Sequence, residues 1–301
     1  MSLLTLIAAL LLQHFRPLSS DLLRQAFQGW SGLLERNFND GQPRHGILAW
    51  LLAVLLPVIL IAVATLLLDH LGHLPALLLG IAVLFLTLRP GSFAGKPEYI
   101  AEHLRGERLE QAREQLKAWR GESADAYTGT QVARVGIETT LLRAHHDVFA
   151  PILWFILLGP AGALLYRLSY LLREEWADIA GFGDVTRRVF EWMDWLPARF
   201  TAGAFAVMGD FEDAVFCWRT QAATWAQPNA GMILASGAGA LGVKLGDPLQ
   251  QGEQLVYRPE LGIGDDADAD YLESSMGLVW RVLVLVIGLL LLLTFAHWLG
   301  N

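Results

Sequence analysis

The sequence predicts an all-α, polytopic membrane protein with about four to five membrane segments and cytoplasmic helical connections. Three observations carry this. Apolar residues make up 54% of the 301-residue chain and charged residues only 17%, where an average soluble domain has roughly 25% charged. Several long runs carry no charge at all. The polar stretch between them shows apolar residues at helical spacing rather than in alternation. A net charge of −8 argues against nucleic acid as a partner, and the apolar runs make the lipid bilayer the expected one. The single cysteine, Cys217, leaves no disulfide framework and no multi-cysteine metal site.

The elements follow in order. The first residues, MSLLTLIAALLLQHF, lack a basic n-region and an A-x-A cleavage site, so no removable signal peptide is expected; Met1 to Leu12 reads as a partial span or an interfacial helix. Ile47 to Leu68 is uncharged and covers about 33 Å as a helix, enough for a hydrocarbon core of about 30 Å. After the short turn His70-Leu-Gly-His73, Leu74 to Leu88 returns, so the pair reads as a transmembrane hairpin. The polar segment 89–147 contains an amphipathic helix marked by Leu109, Ala112, Leu116 and Trp119, then a loop from Gly121 to Gly129 and a helix from Gln131 onward. Val148 to Tyr166 is apolar but broken by Gly159-Pro160, which fits either a kinked span or a re-entrant pair of half-helices. Phe200 to Met208 is weakly apolar, and Met276 to Leu299 is the last span, with Arg281 near its start. One domain, 1–301, is expected, with a polar helical insertion at 89–147 and a Gly-rich loop region at 210–275.

Arginines in 16–46 and nine Lys or Arg in 89–147 flank the same hairpin, which places both segments on the cytoplasmic side of an inner membrane. Segment 167–199 also carries Arg167, Arg173, Arg187, Arg188 and Arg199. Simple alternation would put it outside, so the charge rule favours the re-entrant option for 148–166.

Four places invite chemistry. Arg134 and Glu138 are four apart and share a helix face with Leu141 and His145. His145-His146-Asp147 suits a polar collar, an anion contact or a metal, although consecutive residues point different ways on a helix. In Asp194-Trp-Leu-Pro-Ala-Arg199, Pro197 is expected to open a new helix; the charges close a helix–helix turn as an ion pair or present Arg199 to phosphate or carboxylate. The stretch from Pro228-Asn229-Ala230-Gly231 to Gly246 looks too glycine-rich for an ordinary buried helix. It lacks a Walker A pattern around Lys244 and serves either close helix packing or a ligand cradle. The acidic loop with Asp265, Asp266, Asp268 and Asp270 reads as a solvated surface, with a magnesium role as the other option.

These motifs resemble the CobD/CbiB family, the membrane-bound adenosylcobinamide-phosphate synthases. The likeness rests on Pro228-Asn-Ala-Gly231, on Gly239-Ala-Leu-Gly-Val-Lys-Leu-Gly246, on Tyr257 and on Pro259-Glu-Leu-Gly262. Asp194-Trp-Leu-Pro-Ala-Arg-Phe-Thr-Ala202 and Arg134…Glu138…Ala150-Pro151 extend it. The resemblance implies an amide-forming condensation of adenosylcobyric acid with aminopropanol or its phosphate, using ATP and Mg2+. It implies Glu138 as the catalytic group acting on the amine or a metal, and Arg199 on phosphate or carboxylate. Asn229, Gly231, Gly239 and Gly242 become backbone cradling, and Arg134, His146, Asp194, Lys244 and Tyr257 further substrate contacts. No protein-held metal is assigned, and the expected partners are a corrinoid substrate or other membrane proteins. Leu10 to Pro17 departs from the family's D-P…P-H-P-V element, and Leu142, Arg143 and His146 replace its E-N…D. In these departures the chain is similar to AmpE, a membrane protein of the β-lactamase regulon, which makes a non-catalytic AmpE-like sensor the alternative.

Overall fold

The computed structural model describes residues 2–15, 22–38, 43–179, 181–251 and 254–300. Arg16 and Pro17 of the departing N-terminal element lie outside them. In chain order the helices are α1 (Ser2–Phe15), α2 (Leu22–Phe38), α3 (Pro43–Trp50), α4 (Leu56–Leu71), α5 (His73–Thr87), α6 (Lys96–Arg105), α7 (Leu109–Arg120), α8 (Gly129–Ala144), α9 (Ala150–Glu175), α10 (Gly183–Met208), α11 (Phe211–Gln221), α12 (Pro228–Leu241) and α13 (Ala269–Gly300). Among the described residues, four helical segments are long and apolar enough to cross a membrane: Arg44–Leu71, His73–Arg105, Gly129–Glu175 and Ala269–Ala296. The chain is a helical, multi-pass membrane protein. None of the residues of α4 is buried, and Ile59, Leu60, Val63, Leu66 and Leu67 stand exposed. One side of α4 packs on the core through Val58 and Ile61, and an apolar face left exposed on a helix of this kind suits lipid as its solvent.

The chain divides into two compact units, 1–91 with 146–197 and 290–301, and 92–145 with 198–289. In the first, a π-helical turn at Leu51–Leu55 leads into α4. Trp50, Ala53 and Val54 pack there in one core with Phe27 and Leu34 of α2, Val83 of α5, Leu164, Leu168, Leu171 and Leu172 of α9, and Trp176 just after it. Within α9, Gly159 has φ 66° and ψ −156°, a conformation reached essentially only by glycine. The chain folds back there. A β-carbon on Gly162 would overlap the Trp154 carbonyl, and Tyr166 packs on Ala150. The limb 150–158 spans only about 13 Å, under half the hydrocarbon core. The apolar run is therefore two helical limbs folded back on each other at Gly159, the geometry a re-entrant pair of half-helices requires.

In the second unit α8 is buried around nearly its whole circumference. It begins with a capping box in which Thr128 and Gln131 satisfy each other's backbone N–H groups. The amphipathic helix is α7, with Ala112, Leu116 and Trp119 buried and Trp119 Nε1 donating to the Ser92 carbonyl at 2.7 Å.

Two expectations are corrected. The region 210–275 is not a loop region, and its glycine stretch is the buried helix α12. Each helical glycine costs about 0.5–1 kcal/mol relative to alanine. Here small residues let backbones touch: a β-carbon on Gly239 would overlap the Asp213 carbonyl of α11, and one on Gly231 the Ala222 carbonyl. Close packing offsets the entropy cost. After α12 come five short strands, β1 (Val243–Gly246), β2 (Leu249–Gln251), β3 (Gln254–Val256), β4 (Glu260–Leu261) and β5 (Asp265–Asp266). β1 lies between antiparallel β4 and parallel β5, a local addition to the helical fold. Nor does Pro197 open a new helix. It sits inside α10, where it removes one backbone donor. Apolar packing at Ala198, Ala202 and Phe205, all fully buried, accompanies the helix onward.

Candidate functional site

Among the described residues, a few charged ones are buried in each unit, and they gather into a cluster. In the second unit the cluster forms where α8 meets the turn after β1. Glu138 and Arg134, one helical turn apart, are 5% and 7% exposed. Glu138 Oε1 accepts a hydrogen bond from Gly246 N at 2.8 Å, and its Oε2 pairs with Arg258 Nη1 at 2.6 Å. Arg134 Nη1 donates to Asp247 Oδ2 at 2.8 Å and reaches the Gly246 carbonyl at 3.4 Å. Arg258 closes the ring, donating from Nη2 to the Gly246 carbonyl at 2.8 Å and from Nε to the Asp247 carbonyl at 3.1 Å. Its guanidinium lies over the Trp225 ring, 5.5 Å from the centroid. The backbone takes part: Gly246 and Asp247 have φ of 78° and 72°, which turns both groups of residue 246 inward.

The other predicted residues of this unit are placed separately. Asn229 stands half-buried in the first turn of α12, Lys244 half-buried in β1, and Tyr257 exposed beside Arg258. Gly242, with φ 69°, ends α12 as its cap. Arg199 is half-buried on α10, and desolvation lowers its pKa from the ordinary arginine value. His145 Nδ1 meets Thr201 Oγ1 at 2.8 Å. The acidic loop is engaged structurally: Asp268 caps α13 through the N–H groups of Asp270 and Tyr271, Asp265 accepts from the Tyr271 hydroxyl, and Asp270 pairs with Arg105.

The first unit's cluster follows from the fold-back at Gly159. Tyr166 donates to Asp194 Oδ1 at 2.7 Å and meets His146 Nδ1 at 2.9 Å. Beside it, Arg167 pairs with Asp147 at 2.6 Å with both side chains buried. His146 is faced by the rings of Tyr170 and Phe190, at 4.9 and 5.7 Å. Asp147 is therefore an arginine's partner. The predicted contacts His146 and Asp194 are joined through Tyr166, a residue the sequence did not single out.

Sequence comparison assigns the family. A family model described as CobD/Cbib protein matches residues 20–279. The chain belongs to the CobD/CbiB family. Among its CobD/CbiB relatives, a protein of Stutzerimonas stutzeri named Cobalamin biosynthesis protein CobD is 36% identical, over 91% of this chain and 90% of that one. Proteins of the same name from Chromobacterium violaceum and Brucella suis are 35% and 27% identical, over 74% and 85% of this chain and 73% and 84% of theirs. No solved structure matches. These matches do not favour the AmpE-like alternative. Arg258 and Asp247 are residues of the second unit's cluster that sequence reasoning missed. The one available signal was their position, beside the Gly246 and Tyr257 that carry the resemblance.

Proposed function

We propose that this chain acts in cobalamin biosynthesis in the cytoplasmic membrane, joining adenosylcobyric acid to aminopropanol or its phosphate through an amide bond at the expense of ATP. The observation that carries the reading is the joining of Glu138 to Gly246 and Arg258 across 108 and 120 residues of sequence. Two of the sequence elements that resemble the family thus meet in one buried, charged cluster.

Amide formation needs a carboxylate oxygen made into a leaving group, which phosphorylation by ATP supplies, and an amine held unprotonated against the carbonyl carbon. Glu138 is the group assigned to the amine. A carboxylate has about four lone-pair sites, and Gly246 N–H and Arg258 occupy two. Arg199, desolvated on α10, is assigned to the anionic end of a substrate. Asn229, Lys244 and Tyr257 are proposed as further contacts within the second unit; His146 and Asp194, locked by Tyr166, are a separate candidate pair of the first. Gly231 and Gly239 are assigned to packing, Gly242 to ending α12. The cluster does not fit a resident magnesium ion: Glu138 and Asp247 are each already neutralised by an arginine. Magnesium would accompany the nucleotide, and no step is assigned to a protein-held metal.

Complementation of a strain lacking adenosylcobinamide-phosphate synthase tests the reading. The wild-type chain should restore corrinoid-dependent growth. Glu138→Gln, present in the membrane at normal yield, should reduce product formation by about two orders of magnitude or more. No growth with the wild-type chain, or full growth with the variant, would refute it.

A further inference from the structure

We propose that Arg134 and Arg258 form an oxyanion-binding site in which the Asp247 carboxylate is a removable stand-in for a carboxylate or phosphate group of the ligand. The two arginines differ. Arg258 is held in place, bonded to Glu138 and to the carbonyls of Gly246 and Asp247 and set over Trp225, and contributes its charge. Arg134 is more deeply buried, at 7% exposed, yet its Nε is sealed from solvent with no hydrogen-bond partner. An arginine fork matches a carboxylate or phosphate through two parallel hydrogen bonds, and Asp247 supplies one, to Nη1 alone. A buried donor left unmade is costly, so the site is built for a better acceptor than the one it holds.

Asp247 has the character of a displaceable group. Its side chain is 50% exposed although its partner is 8% exposed. It sits at φ 72°, where a β-carbon is disfavoured, and strain of this kind points to function when it is observed rather than assumed. Charge gives the ligand class. Glu138 and Asp247 balance Arg134 and Arg258; when Asp247 swings out, the pocket carries one net positive charge, which an incoming oxyanion neutralises. Adenosylcobyric acid offers a carboxylate and aminopropanol phosphate a phosphate, so the ligand's identity rests on the function proposed above, while the existence of the site does not.

The test uses the full chain purified in detergent, titrated calorimetrically with acetate and with inorganic phosphate in separate arms. Asp247→Gly removes the internal competitor and suits the positive φ. Asp247→Asn keeps the shape and removes the charge. If Asp247 occupies the site about nine-tenths of the time, both variants should bind one of these anions about tenfold more tightly than the wild type. Arg134→Lys, which keeps the charge and loses the fork, should cancel that gain in the Asp247→Gly background. A gain for acetate alone assigns a carboxylate, and a gain for phosphate alone a phosphate monoester. Unchanged anion affinity in both Asp247 variants, or a gain that survives Arg134→Lys, overturns the proposal. Binding is read without corrinoid or growth. Tightened binding alongside failed complementation would remove the proposed reaction and leave the site standing.

Discussion

His146 Nδ1 and the Tyr166 hydroxyl meet at 2.9 Å across twenty residues of chain that, as one straight helix, would hold them about 30 Å apart. The contact exists because α9 turns back at Gly159. A segment that doubles back in this way can leave a membrane on the side it entered, which would change the transmembrane count.

Topology is therefore the first prediction. Cysteines introduced at Glu122 and at Asp266, both exposed, should react with an impermeant maleimide from the same, cytoplasmic, side of oriented vesicles. Labelling on opposite sides would exclude the re-entrant hairpin, and external labelling at Glu122 would reverse the orientation.

Replacing Gly159 by alanine tests the turn itself. The φ 66°, ψ −156° backbone has no counterpart for a residue with a β-carbon, and the cost should be about 1–3 kcal/mol. Thermal unfolding in detergent should show a lowered midpoint. An unchanged midpoint would mean that the limbs do not depend on this conformation.

Gly239→Leu separates packing from ligand contact. Since a β-carbon there overlaps the Asp213 carbonyl, the variant should reach the membrane with a markedly reduced folded yield, measured by fluorescence-detected size exclusion. Normal yield with activity lost would instead make Gly239 a ligand contact.

Cys217 offers a built-in reporter. It is fully buried on α11, and burial pushes its thiol up to about 11. Only about one part in ten thousand is thiolate at pH 7, and the thiolate is the reactive form. N-ethylmaleimide should leave the folded protein unmodified at pH 7 and label it stoichiometrically once denatured. Rapid labelling of the native protein would contradict this burial.

What the sequence made legible follows from the range of the forces involved. The hairpin of α4 and α5 was readable because apolar composition over some twenty residues decides membrane insertion by itself. The amphipathic α7 was readable because Leu116 and Trp119 repeat at helical spacing. Helix α12 was misread because glycine's cost is local and visible, whereas the backbone contacts with Asp213 and Ala222 that offset it come from elsewhere in the chain. Pro197 was misread similarly, since the apolar packing around Ala198 and Ala202 appears only in the fold. Arg258 and Asp247 have no periodicity to mark them, and Asp147 finds Arg167 only after the chain has turned at Gly159. The arginine excess in 167–199 was the one charge signal that anticipated that turn.

The side chain of Gln13 in α1 donates to the carbonyls of Phe85 and Leu88 at the end of α5, the latter at 3.0 Å. A helix leaves its last four carbonyls without internal partners, and here the remedy is supplied by a residue more than seventy positions earlier. During biogenesis α1 is therefore made long before the segment it completes. These two bonds can form only after the whole hairpin has been synthesised. The end of α5 is thus completed by tertiary packing against α1, and a change at Gln13 would be felt at the C-terminus of a helix to which it does not belong.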